Sequence, residues 1–215
     1  MLLVMFQFLL DNIFPRKALV RELERMDAFS FAARVKGAML YVGKETISCF
    51  EYQNPLVRQA IIELKYRGNK KVARLLATAL YDELMGFLEE YAPLTNFSEP
   101  LLMPIPLSKK RESERGFNQC RLLADALLNI DGGKNFTLSF ALTKCKDTES
   151  QTKVNSRTER LSNLTGCFTA EQSVVGRRNI ILIDDVTTTG ATFLEARRTL
   201  LRAGARKVIA FAVAH

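Results

Sequence analysis

Between residues 54 and 91 the apolar positions recur at helical spacing. In NPLVRQAIIELKYRG, Leu56, Ile61, Ile62 and Leu64 form an apolar stripe; Pro55 suits a first helical turn and Gly68 its end. In KKVARLLATALYDELMGFLEEY, Val72, Leu75, Leu76, Ala79, Leu80 and Leu84 mark a second amphipathic helix. Upstream, KALVRELERM reads as a helix, and GAMLYV and TISCFEY as strands. A loop rich in Pro, Asn and Ser is expected at 92–100. Beyond it the rhythm changes. Three short apolar runs read as strands: LLMPIP (101–106), a short buried one; IILI (180–183), buried on both faces; and KVIAFAVA (207–214), the last. The first is followed by a charged loop, a helix in GFNQCRLLADALLNI and a turn at Asp131-Gly132-Gly133; a polar region fills 143–164. The second is followed by a helix from about Ala191 to Ala203.

Strands alternating with helices predict an α/β fold, a parallel sheet with right-handed crossovers and helices on both faces. Ligands of such sheets bind at the carboxyl ends of the strands. Residues 49–215 are read as this domain and residues 1–48 as an N-terminal segment packed on its core.

Charge narrows the partners. The chain has 215 residues, with 31 basic and 23 acidic, a net charge of +8. That favours polyanions: phosphorylated metabolites, nucleic acid or anionic lipid. Cys49, Cys120, Cys145 and Cys167 are widely spaced without a C-x-x-C pair, as expected for reduced thiols in a cytoplasmic protein without a zinc knuckle. A histidine-based catalytic triad would have to use His215, and a two-histidine metal site cannot be built. Any metal is expected to be a hard cation held by oxygen, as Mg²⁺ is. The apolar run Met1–Leu10 lacks the basic flank and cleavage site of a signal peptide and is too short to span a bilayer, so a buried or interfacial helix is expected.

The candidate chemistry lies in IILIDDVTTTGAT, residues 180–192. Asp184 and Asp185 would be costly within a buried strand, so they should mark where it leaves the sheet. Thr187, Thr188, Thr189, Gly190, Ala191 and Thr192 lead directly into a helix, and small polar residues at a helix start gather backbone N–H groups around a phosphate. Two carboxylates beside that cradle suit a ligand with both a phosphate and a diol. An N-capped turn is the plainer reading. Neither a Walker A loop nor a G-x-G-x-x-G fingerprint occurs.

The same stretch resembles the phosphoribosyl-diphosphate (PRPP) motif of type I phosphoribosyltransferases, four apolar residues followed by D-D-x-x-x-T-G-x-T. Three further segments resemble the ComF family: FEYQNPLVRQAIIELKYRG, PIPLSKKRESERGFNQCRLLADAL and ESQTKVNSRTERLSNLTGCF. The resemblance implies a phosphoribosyltransferase-like fold with a flexible hood over 147–163, in which Ser150, Gln151, Arg160 and Asn163 match the family pattern. It implies that Asp184 and Asp185 serve the ribose and Mg²⁺, directly or indirectly, and that the 187–192 loop holds the 5′-phosphate. Lys109, Lys110, Arg111 and Arg115 would face the diphosphate, although Glu112 and Glu114 among them also fit a solvated charge cluster. Lys65 and Tyr66 match a motif too, but a cation at a helix C-terminus accounts for Lys65 almost as well. ComF-type chains usually open with a zinc module after a Phe-Pro pair. Here Phe14-Pro15 is kept, while Ala18 and Arg21 stand where cysteines are expected, so that module reads as degenerate and no zinc is expected. Two functions follow from the resemblance: Mg²⁺-dependent transfer from PRPP, or a PRPP-sensing or single-stranded-DNA-binding accessory in DNA uptake. For the second, Phe117 and Phe168 are candidate stacking residues, with core packing the plainer role. The acceptor and the oligomeric state are not legible.

Overall fold

A computed structural model describes residues 18–35, 40–41, 46–146 and 164–215. Six strands form the main sheet in the order β1 (Leu40–Tyr41), β2 (Thr46–Phe50), β8 (Lys207–Ala214), β7 (Asn179–Val186), β3 (Leu101–Pro104) and β4 (Thr137–Leu138). All neighbours are parallel except β1, which pairs antiparallel with β2.

The apolar runs are uninterrupted because both sheet faces are covered. Ile181 and Ile183 of β7 enter one core with Ile209, Phe211 and Val213. Ile180 and Leu182 enter a second, with Val208, Ala210 and Ala212. The first face carries α3 (Pro55–Arg67), α4 (Lys70–Thr95) and α6 (Gln119–Asp131). The second carries the short α7 (Gln172–Val175), α8 (Ala191–Arg202) and the antiparallel pair β5 (Leu142–Lys144) and β6 (Phe168–Ala170). Parallel α/β architecture with helices on both faces is thus what the chain forms.

Several local expectations change. KALVRELERM contributes the short helix α1 (Ala18–Leu23), and α2 (Ala28–Val35) follows it. Leu23, Phe31 and Val35 join the first core, where Phe31 meets Phe50 edge-on. Ile62 is only half-buried, and Glu63 takes an inward position instead. Its carboxylate is met by Gln59 at 3.3 Å and Arg67 at 3.5 Å, which makes burial tolerable. Helix α4 runs through Pro93 into the expected loop, ending at Asn96 in the left-handed conformation (φ 54°). A proline this close to a helix end removes little of the backbone ladder. The charged loop is also helical: α5 (Lys109–Arg115) starts at Ser108, whose side chain accepts from Arg111 N–H, and stops at Gly116 with φ 82°. Ser and Gly at those ends are the ordinary caps.

Topology then positions the site. The chain passes from β3 through α6 to β4 on one side, and from β7 through α8 to β8 on the other. The loops leaving β3 and β7 therefore diverge at the carboxyl edge, forming the crevice of a topological switch point. Among the described residues no helix is long and apolar enough to cross a membrane.

Candidate functional site

Asp184 and Asp185 do not lie beyond the strand, as expected, but within it. Strand β7 continues to Val186, and Asp184 is still in register with Ala212. The alternation of a strand sends the two carboxylates to opposite faces, and each finds a different environment. Asp185 is buried and has the Lys65 ammonium at 3.0 Å from Oδ2, with no other hydrogen-bond donor on that oxygen among the described residues. Asp184 is half-buried, and its Oδ1 accepts from Asp185 N–H at 2.8 Å and from the Cys120 thiol at 3.1 Å.

The electrostatics follow from this packing. Burial, and then the negative charge of Asp185, push the Asp184 carboxyl up to about 8. Burial works against the Lys65 charge, but Asp185 and Asp184 outweigh it and its pKa rises. Burial and the two carboxylates raise the Cys120 thiol. The cluster is thus arranged as one ion pair, Lys65 with Asp185, beside a carboxyl held in its neutral form.

Beyond β7 the chain forms the phosphate-cradle candidate. Thr187 is buried, its N–H donating to Ala214 O at 2.9 Å. Its carbonyl lies 3.0 Å from His215 Nδ1. Thr188 is exposed, and Thr189 and Gly190 are half-buried. Gly190, at φ 71°, stands at the N-cap of α8 and offers no side chain to the N–H groups of its first turn, where Ala191 and Thr192 lie. Those groups are the ones an anion satisfies.

On the other side of the crevice, Ile105 N–H donates to Ile183 O at 2.9 Å, fastening the root of the β3 loop to β7. Asn118 caps α6 and donates to Ile105 O at 3.2 Å. Arg115 ends α5, hydrogen-bonds Gln119 Oε1, and lies 5.6 Å over the Tyr66 ring. Tyr66 is 61% exposed, so the outer face of its ring is open to solvent. Lys109 and Lys110 are exposed and Arg111 half-buried on α5, at the same sheet edge.

The structure therefore brings together Asp184, Asp185 and Lys65, with the 187–192 loop following them, and places Arg115 with Tyr66. Ser150, Gln151, Arg160 and Asn163 lie outside the described residues. Phe168 is buried and so unavailable for base stacking, while Phe117 packs beside Gly68, where a Cβ would stand 3.1 Å from its ring. Sequence reasoning missed Cys120 and His215 as neighbours of the site. Nothing in the local sequence around either one signals it, since each meets its partner through the sheet.

Among the described residues, Cys120, Asp184 and Asp185 form a cluster with potential ligand atoms within 4.8 Å of one another. For Mg²⁺ the fit is uneven. A thiol is too soft a ligand, and Lys65 already balances Asp185. Asp184 fits, because Mg²⁺ binds through one or two carboxylates together with phosphate oxygens and water.

No protein-family model matches the chain. The competence protein ComFC of Bacillus subtilis (strain 168) is 33% identical over 179 residues, 83% of this chain and 66% of that protein. ComFC of Streptococcus pneumoniae R6 is 30% identical over 172 residues, 80% of this chain and 69% of its own. The DNA utilization protein YhgH of Salmonella typhi is 32% identical over 163 residues, 75% of this chain and 68% of its own. The chain thus spans 66% to 69% of the length of these relatives. Among solved structures, the glutamine PRPP amidotransferase of B. subtilis aligns with a TM-score of 0.42 at 15% identity, over 71% of this chain and 30% of that one. Trypanosoma cruzi hypoxanthine phosphoribosyltransferase aligns at 0.40 and 9%, over 66% and 64%. With the strand-acid-threonine segment, the crevice and these relatives together, the chain belongs to the family of ComFC and YhgH.

Proposed function

We propose that the protein binds PRPP at the switch-point crevice and, with Mg²⁺, transfers its phosphoribosyl group to an acceptor. The observation that carries this reading is the continuity of the site along one strand: two carboxylates at the end of β7, then a threonine loop, then a helix start without a capping side chain. The helix start and the threonine hydroxyls would hold the 5′-phosphate. Asp184 and Asp185 would accept hydrogen bonds from the ribose hydroxyls, with Lys65 holding Asp185 in place at 3.0 Å. Arg115, with Lys109, Lys110 and Arg111, would face the diphosphate, where guanidinium offers a planar fork of donors. Mg²⁺, held through Asp184 with phosphate oxygens and water, would supply neutralisation of the leaving diphosphate. A reaction of this kind needs orientation and charge stabilisation more than a strong base, so the scarcity of histidine is no obstacle. Zinc has no place in this reading, and the site belongs to a cytoplasmic protein.

Calorimetry with PRPP and Mg²⁺ tests it. PRPP is expected to bind more tightly than ribose 5-phosphate, which lacks the diphosphate, and far more tightly than inorganic phosphate. Equal affinity for all three would reduce the cradle to a generic anion site. A panel of nucleobases added to the PRPP complex then identifies the acceptor.

A second reading rests on Tyr66. An exposed aromatic ring beside Arg115 is the kind of platform on which a base stacks, and single-strand binders combine such rings with basic grooves. The same edge would then hold single-stranded DNA, in keeping with the DNA-utilization name of the YhgH relatives. Fluorescence titration with a labelled oligonucleotide separates the two: Tyr66→Ala weakens DNA binding, whereas Tyr66→Phe, which keeps the ring, does not.

A further inference from the structure

Two cysteines outside the site occupy directly opposite backbone positions at the end of the small sheet. In β5 and β6 the partners are Leu142 with Ala170, Thr143 with Thr169, and Lys144 with Phe168. The next pair in that register is Cys145 with Cys167, and the ladder extends to it: Cys145 N–H donates to Cys167 O at 2.8 Å. Cys167 N–H then turns back to Leu164 O, so this is the last rung. Side chains two residues apart share a face of a strand. Thr143 and Thr169 occupy the preceding position on this face, and their hydroxyls are 2.8 Å apart. Those hydroxyls meet across the ladder two residues before the cysteines, where the Cys145 thiol donates to Gly166 O at 3.6 Å and Cys167 is buried in the second core.

Directly opposite residues in an antiparallel ladder have Cα atoms about 5.5 Å apart when hydrogen-bonded. That separation lies inside the range of roughly 4.4–6.8 Å that a disulfide spans. Their Cβ atoms, about 4.5–5.5 Å apart, stand somewhat wider than a relaxed bridge prefers, and a bridge formed under such tension is readily reduced again. The two thiols also differ in access. Cys145 is exposed and Cys167 is fully buried, and burial raises the Cys167 thiol.

We propose that Cys145 and Cys167 form a reversible dithiol–disulfide site that reacts with small disulfides of the glutathione type. Cys145, as the thiolate, attacks oxidised glutathione, forming a mixed disulfide and releasing one reduced glutathione. The Cys167 sulfur then attacks the Cys145 sulfur, expels the second glutathione and closes the protein bridge. The protein loses two hydrogens, and one glutathione disulfide becomes two thiols. The bridge joins the residues that bracket 146–166, the stretch containing Ser150, Gln151, Arg160 and Asn163. Cys49 and Cys120 are buried in the two main cores and take no part.

The test treats the whole chain with oxidised glutathione, blocks remaining thiols by alkylation, and measures intact mass and a non-reducing peptide map. In the unsubstituted protein Cys145 and Cys167 are expected to lose alkylation together, in equal proportion, with one peptide linking them, and dithiothreitol restores both. Cys167→Ser is expected to stop at a persistent glutathione adduct on Cys145, and Cys145→Ser is expected to remain unmodified. Accumulation of that same adduct in the unsubstituted protein, or a bridge between two chains through Cys145, would overturn the proposal. Because Cys145 is exposed, its serine variant keeps the fold and remains a valid control.

Discussion

Asp184 carries a carboxyl that the folded chain prefers neutral, and stability should report it. Its folded pKa, about 8, exceeds the ordinary 3.8. Between those values the unfolded chain has lost a proton that the folded chain keeps, so stability falls as pH rises across this window. Asp184→Asn removes the titration and is expected to raise the melting temperature at pH 7–8, with no gain near pH 4. A melting curve equally displaced at both pH values would sink this account. Lys65 is the opposite case. Lys65→Met leaves the Asp185 charge buried without its ammonium, and such losses cost about 3 kcal/mol or more. Lys65→Met with Asp185→Asn should recover most of that in denaturant titrations, because the coupling lies between these two residues. The acid pair and threonine loop were legible because their chemistry is contiguous. The partner of Lys65 was not, since β7 reaches α3 only through the folded sheet.

At the scale of elements, the charged stretch 109–115 shows what hydrophobic periodicity misses. Helix α5 has no buried residue, so no apolar stripe announces it. Its ends do: Ser108 and Gly116 are cap residues, and reading them as a pair would have found the helix. The same two residues hold Arg115 in place. Ser108→Ala removes the side-chain acceptor and costs about 1 kcal/mol. Gly116→Ala must put a side chain at φ 82°, where only glycine is unstrained, for a loss of about 1 kcal/mol or more. Neither residue is a proposed ligand contact, yet both substitutions are expected to weaken PRPP binding in calorimetry, Gly116→Ala more, by fraying the helix that ends in Arg115. Unchanged affinity in both would mean that α5 does not position the diphosphate. Helix α4 teaches a related lesson. Pro93 reads as a breaker, but the buried Phe97 and the cap at Asn96 let the helix continue past it.

At the scale of the molecule, the switch point makes one crevice serve two candidate ligands, and charge separates them. A magnesium-bound diphosphate needs both Asp184, whose carboxyl would give up its proton when the metal binds, and the cations of α5, whereas a DNA strand needs only the cations. Asp184→Asn should therefore weaken PRPP binding by roughly tenfold or more, about 1.4 kcal/mol at the least. It should leave oligonucleotide binding unchanged, since a carboxyl held neutral carries no charge for the substitution to remove. Arg115→Ala should weaken PRPP binding under either reading. If DNA shares the surface, Arg115→Ala also weakens the oligonucleotide and lowers the slope of log K against log salt by about 0.7, the value for one phosphate contact on a single strand. The chain's net charge of +8 will attract any polyanion, so affinity at one salt concentration decides nothing and the slope does. Loss of PRPP binding in Asp184→Asn with DNA uptake intact in cells would leave transfer chemistry without a role there, and loss of both would tie uptake to the PRPP site.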